Sequence, residues 1–408
     1  MTSATLGVAF REASGRIVAA LASRFRDLDL AEDSFADACA RALEAWSQAG
    51  PPRDAAAWLY QTAYRCAVDT LRRRRTEHRF APELQRAAIE EQPMPDEWTP
   101  IPDERLRLIF VCCHPAVALD ARAALTLRLV CGLSTREIAR AFLLSEPGLA
   151  QRLIRAKRKI AEAGVSFEVP GPQAWPERLD AVLSTIEIAY GRAHEDAAGS
   201  GPHFNYAAEM LDITRVLAEL LPHEAETSAI AAIVRFAEAR RPARVDAQGM
   251  MIPLADQDPT SWIESLMVDG RHYLHRAVSL RPRMPRVLQA SIHAAWCARR
   301  ALADPPPWSR ILELYDELLK VRDDPIVRLN RAVALAEVQG AAAGLAEIDA
   351  LAPQPFDDFL PYHAVRADLL RRAGRRDDAR VAYDAALALV ATSAERLWLE
   401  RQRAAVAE

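Results

Sequence analysis

Gln151, Arg152 and Arg155 fall close together in one run, and Lys157, Arg158 and Lys159 follow at once. A Gln amide pairs in two places with an adenine edge, and an Arg guanidinium does the same with guanine. The first three residues therefore suit the reading of base pairs in a DNA major groove. The three cations behind them suit phosphates, each contact adding close to one unit to the salt dependence of binding. A second basic block, Arg72 to Arg75, closes a run far upstream. Two such blocks point to two contacts with one polyanion. Either block alone also fits a solvated helix end that complements its dipole.

The elements that must carry these residues are helices. "LSTREIARAFLLSEPGLAQRLIRAKRKI", Leu133 to Ile160, reads as two of them with a tight join. Ser134 and Glu137 have the capping-box spacing, and Ile138, Ala139 and Phe142 give the first helix its apolar side. Leu143 and Leu144 form the join. Ser145 caps the second helix, with Glu146 and Pro147 in its first turn. Leu149, Leu153, Ala156 and Ile160 recur at helical spacing and predict its buried stripe, leaving the polar residues outward or flanking. The whole is a helix-turn-helix whose second helix suits the major groove.

Upstream, "AEDSFADACARALEAW" sets Phe35, Cys39, Ala42 and Trp46 on one face, with Glu32, Asp33, Asp37, Arg41 and Glu44 opposite. After "SQAGPPRD", Asp54 is the expected N-cap of a helix ending in the four arginines. Trp58, Tyr64, Ala67, Val68 and Leu71 are its expected buried stripe. Residues 80–103 hold five prolines and several acids and read as an extended linker.

The net charge of −4 conceals an asymmetry: residues 1–165 carry +3 and the remainder −7. With 408 residues the chain needs more than one core, and its Ala, Leu and Arg content with just 15 glycines favours helix. The fold class expected is all-α. No apolar run reaches the ~20 residues that span a bilayer, and the N-terminus lacks the pattern of a secretory leader. A cytoplasmic protein without membrane contact is expected. None of the six cysteines forms a CxxC pair, so reduced, buried thiols are expected and no metal site. Gly-rich phosphate loops, HExxH and Ser/His/Asp signatures are absent, which leaves no candidate catalytic residue and no expected cofactor.

The order of an acidic amphipathic helix, an arginine-tipped helix, an acidic linker and a helix-turn-helix resembles the extracytoplasmic-function group of sigma-70 factors. The resemblance implies a region binding polymerase and the −10 element over 1–79, the linker over 80–103, and a −35-reading region over 104–168. It implies core RNA polymerase and promoter DNA as partners. Asp33, Asp37 and Arg41 would face the polymerase β′ clamp helices. The loop from Ser47 to Asp54, with Arg53 and Asp54, would hold a flipped base of the melted −10 strand. Gln61, Tyr64, Arg65, Arg72 and Arg73 would lie along that strand. Gln151, Arg152, Arg155, Lys157, Arg158 and Lys159 would serve the −35 element.

Residues 177–408 are expected to form a helical extension, interrupted by "ARRPARVDAQGMMIPLADQDPTSW". Ala367, Leu370, Gly374, Ala379, Tyr383 and Ala386 show the small/large alternation of a tetratricopeptide helix pair. Ala332, Leu335, Gly344, Ile348 and Leu351, and then Ile311, Tyr315 and Leu318, echo it upstream. Such an extension is found in one subgroup of these factors, and it would regulate activity or bind a regulatory protein. Three other functions stay open: a DNA-binding regulator that never joins polymerase, a scaffold in which the repeats act alone, and an enzyme using the acidic insert, which would need a bound metal or ligand.

Overall fold

The computed structural model describes residues 3–77, 104–130, 132–141, 144–168, 179–187, 190, 204–351, 356, 358–390 and 392–407. The acidic linker expected over 80–103 lies outside them, as do Phe142, expected on the first helix of the helix-turn-helix, and Leu143 of its join. The described residues are helical, with one isolated bridge, Val245 to Met251, and no strand among them. They divide into two compact units, with the division passing between Glu209 and Met210. Among the described residues no helix is long and apolar enough to cross a membrane.

The first unit contains α1 (Ser3–Phe25), α2 (Leu28–Ala49), α3 (Ala55–Glu77), α4 (Arg105–Cys112), α5 (Leu119–Leu129), α6 (Thr135–Ala141) and α7 (Glu146–Glu162). A further helical run covers 179–187. Asp27 caps α2, accepting from the Leu30 amide at 2.9 Å, and Asp54 caps α3, accepting from the Ala57 amide at 2.9 Å. Helix α4 is apolar nearly all round and is buried accordingly, Arg107 alone being half-exposed. It packs on α1 and α5. Its neighbour Cys113 donates to the Thr185 hydroxyl at 3.4 Å, and burial pushes that thiol up to about 11. Gly15 of α1 lies against the end of α5: a Cβ there would sit 1.8 Å from the Val130 carbonyl oxygen. No residue but glycine fits that approach.

The stripe expected on α3 is shifted. Tyr64 and Ala67 are buried, but Trp58, Val68 and Leu71 are half-buried, and Leu59, Tyr60, Ala63 and Cys66 take the inner places. Helix α3 packs on both α1 and α2, so two neighbours bury a wider face than one stripe provides. On α2, Ala42 and Trp46 are buried, whereas Phe35 and Cys39 are half-buried behind Ala31, Ser34 and Ala38.

The second unit contains most of α8 (Phe204–Leu220), then α9 (Ala225–Ala239), α10 (Glu264–Leu280), α11 (Pro285–Trp296), α12 (Trp308–Val321), α13 (Pro325–Gln339), α14 (Ala341–Ala350), α15 (Leu360–Arg372), α16 (Arg376–Leu389) and α17 (Ser393–Ala407). From α11 onward each helix packs on its successor, the arrangement of a quasi-linear stack. Small residues let the partners approach. A Cβ on Gly344 would sit 2.6 Å from both the Ala332 carbonyl oxygen and the Ala336 Cβ. Ala367, Leu370, Ala379, Tyr383 and Ala386 form one core, and Gly374 makes the turn between α15 and α16 at φ +76°.

The irregular insert is held by hydrogen bonds of its own side chains. Asp246 accepts from the Gln248 and Met250 amides, Asp258 from the Thr260 amide, and Trp262 is buried. The Met251 amide donates to the Ala394 carbonyl at 3.1 Å, tying the insert to α17.

Candidate nucleic-acid interface

The helix-turn-helix is assembled by local rules. Ser145 accepts from the Gly148 amide at 3.3 Å, and Pro147 sits in the first turn of α7. Leu149, Leu153, Ala156 and Ile160 are its buried residues. At about 100° per residue, Gln151, Ile154, Arg155 and Arg158 then share the opposite face within a quarter to a third of a turn. All four are exposed, Ile154 by 61%. An open face with an amide, an apolar branch and two guanidinia can bond base edges and pack on a thymine methyl.

The flanks of that face differ. Arg152 is half-buried. Arg158 and Lys159 both pair with Glu162, at 3.4 and 3.0 Å, and those bonds hold the Glu162 carboxyl below the usual range. Lys157 is not outward. Its side chain is 14% exposed and donates to Asp29 and, at 2.9 Å, to Glu32 of α2. Burial alone would lower the Lys157 ammonium, but the bonds to Asp29 and Glu32 outweigh it and raise it overall. Glu32, expected on the solvent face of α2, is covered, and its other oxygen accepts from Arg128 Nε at 2.8 Å. Arg128 also donates to the Leu133 carbonyl at 3.1 Å, at the turn before α6. Contacts that span 96 and 125 residues leave no local signal in a sequence, which is why Glu32, Asp29 and Arg128 escape sequence reasoning.

Around α3, Asp33, Asp37 and Arg41 are exposed on one side of α2. Partial burial, then the charge of Asp29, raises the Asp33 carboxyl, against the lowering effect of Lys157. The loop expected from Ser47 to Asp54 is shorter, Gly50 to Asp54, because α2 runs on to Ala49; Trp46 and Trp58 meet edge to face at 5.3 Å at its base. Arg53 and Asp54 are exposed there. Arg65, Arg72 and Arg73 are exposed, Gln61 is half-buried, and Arg74 pairs with Asp27 at 3.3 Å. Tyr64 departs from its expected place along a strand. It is 5% exposed, 5.5 Å from the Phe25 ring, and accepts from Arg24 at 3.3 Å. The three-helix packing claims it for the core.

Comparison with known families decides what this arrangement is. Residues 10–77 match Sigma-70 region 2, and residues 107–160 match Sigma-70, region 4. The chain belongs to the sigma-70 family. Residues 178–278, which take in α9 and most of α10, match a family of unknown function, DUF6596. A similar protein, the uncharacterized protein R00370 of Rhizobium meliloti (strain 1021), is 36% identical over 402 residues, spanning 97% of this chain and 95% of the relative. As a sigma-70 protein its role is promoter recognition and transcription initiation, with core RNA polymerase and promoter DNA as partners. Among the described residues no group of three or more His, Cys, Asp or Glu is placed to hold a metal.

Proposed function

We propose that the chain is an extracytoplasmic-function sigma factor in which α7 reads the −35 element through Gln151, Arg152 and Arg155, with Arg158 and Lys159 on the flanking phosphates. The observation that carries this reading is the capped α7 with its four apolar residues buried and its amide and guanidinia exposed on the far face. Residues 78–106, between the two matched regions, are too few for a further helical domain of ordinary size. That supports the two-region organisation, with 1–79 and 104–168 as functional segments joined through 80–103. In this reading Asp33, Asp37 and Arg41 meet polymerase. Arg53, Asp54, Gln61, Arg65, Arg72 and Arg73 serve the melted −10 strand, and Tyr64 supports them from the core.

The stack from α11 to α17 supports a tetratricopeptide-like extension, residues 177–408, that sets this activity by binding a regulatory protein. The protein works in the cytoplasm, beside the polymerase. Run-off transcription with core RNA polymerase on a randomised promoter library tests the reading. Discrete start sites that share −35 and −10 sequences are expected; no transcripts above polymerase alone would sink it. The same assay on a form ending at residue 170 reads the contribution of the extension.

A further inference from the structure

Lys157 stands apart from the other cations of α7. It lies beside the reading face, yet it is spent on Asp29 and Glu32 of a helix from the other sigma region. Both oxygens of Glu32 are engaged, one by Arg128 of α5 and one by Lys157 of α7. Gly15 against the Val130 carbonyl, and Arg107 donating to the Ser23 hydroxyl at 3.0 Å, join the same two regions elsewhere. The contact is therefore a set of complementary charges at the edge of a close backbone fit.

We infer that Glu32 is a clasp: in the free protein it holds the −35-reading helix against α2 by withholding Lys157, and promoter loading exchanges Glu32 for a DNA phosphate. One ammonium cannot satisfy a phosphate and two carboxylates packed at its tip at once. Release of Lys157 unpairs the Asp29 carboxylate and one oxygen of Glu32 on α2, next to Asp33, so one opening event frees a cation for DNA and acids beside the polymerase-facing residues. Gln151, Ile154, Arg155 and Arg158 stay exposed in the clasped state, so the clasp leaves the base-reading face free and controls the phosphate side. This inference rests on the reading that α7 binds duplex DNA.

The test uses the full chain and two variants that open the clasp by different physics. Glu32→Gln removes the carboxylate. Gly15→Leu pushes α1 from Val130 with no change of charge. Circular dichroism checks that each keeps its helix content. Spin labels on unnatural ketone side chains at the exposed Ala45 and Ala161 report the separation of α2 and α7. Binding to a mixed-sequence duplex of about 25 base pairs, titrated with salt, reports phosphate contacts. The distance is expected to lengthen by about a helix diameter, ~10 Å, in at least one variant. In that variant the slope of log affinity against log salt should steepen by about 0.9, one added phosphate contact. Adding Lys157→Met should return the slope to that of the unmodified chain. An unchanged distance in both variants overturns the clasp. So does a lengthened distance with an unchanged slope, or a steeper slope that survives Lys157→Met. Failure of the run-off assay with these results intact would tell against the sigma reading and leave the clasp standing.

Discussion

Each of the two compact units shows one use of charged side chains at its clearest. In the first, Glu32 bridges cations from α5 and α7, while Arg65, Arg73 and Arg155 stand exposed. In the second, arginines are built into the framework. Arg299 donates to the carbonyls of Ala255, Leu302 and Asp304. Arg235 donates to the Ala231 carbonyl and lies 4.3 Å over the Tyr273 ring. A guanidinium bonded to carbonyls supplies the donors that a loop lacks, and it cannot trade them for a ligand without unfolding the loop. Cations that are exposed, or held by carboxylates alone, can be traded. The contrast separates a framework from a binding surface within one chain.

Arg299→Met strikes the framework hardest. It would leave three carbonyls beside a largely buried side chain without a donor, at a cost of roughly 3–5 kcal/mol. Urea denaturation should show the second unit unfolding early, with duplex binding by α7 unchanged. Equal stability would deny Arg299 a framework role.

Next comes acidity. His293 is half-buried against Arg240, whose guanidinium only donates, so His293 Nδ1 accepts at 3.0 Å and the proton sits on Nε2. Burial, then the charges of Arg240 and Arg244, lower this imidazole to about 3. Its folded value lies below the unfolded value of ~6.5, so the unfolded chain takes up the proton first. The stability it contributes is whole above pH ~6.5 and is lost as pH falls toward 3, by up to ~1.4 kcal/mol per unit. Denaturation curves between pH 7 and 4.5 should show that slope, and His293→Gln should flatten it; an equal slope in the variant would assign the acid sensitivity elsewhere.

On the binding side, Arg155→Ala should cost ~1–3 kcal/mol on the selected −35 sequence and relax preference at a single base pair. Gel-shift competition among −35 variants measures this. A uniform loss across sequences would instead make Arg155 a phosphate contact.

What was legible in the sequence follows the range of the interactions. The cap at Ser145, the stripe of Leu149, Leu153, Ala156 and Ile160, and the buried Ala367, Ala379 and Tyr383 are set within one or two helical turns or one helix pair. Periodicity reports such positions directly. Tyr64 was harder, because a ring at the edge of a stripe serves a core or a ligand equally well, and Phe25 and Arg24 decided it. Lys157 was illegible: its neighbours in the chain mark it as one more phosphate cation, and a carboxylate 125 residues away claims it. In the insert, Asp246 and Asp258 close turns on their own backbone, a role set within two to four residues.

The smallest expected effect concerns Ile154. An isoleucine exposed by 61% between Gln151, Arg155 and Arg158 gains nothing from the fold. Its exposed methyls are open to pack on what α7 meets. In a major groove the apolar feature available is the thymine methyl. Burying one methyl-sized group is worth ~0.8 kcal/mol. Ile154→Ser should therefore weaken binding by about that much on a −35 duplex containing thymine, with stability unchanged. Replacing each thymine by uracil in turn should reproduce the loss at one position in the unmodified protein and add nothing in the variant. Losses that simply add would show that Ile154 and the methyl do not touch, and would leave base reading by this face to its polar residues alone.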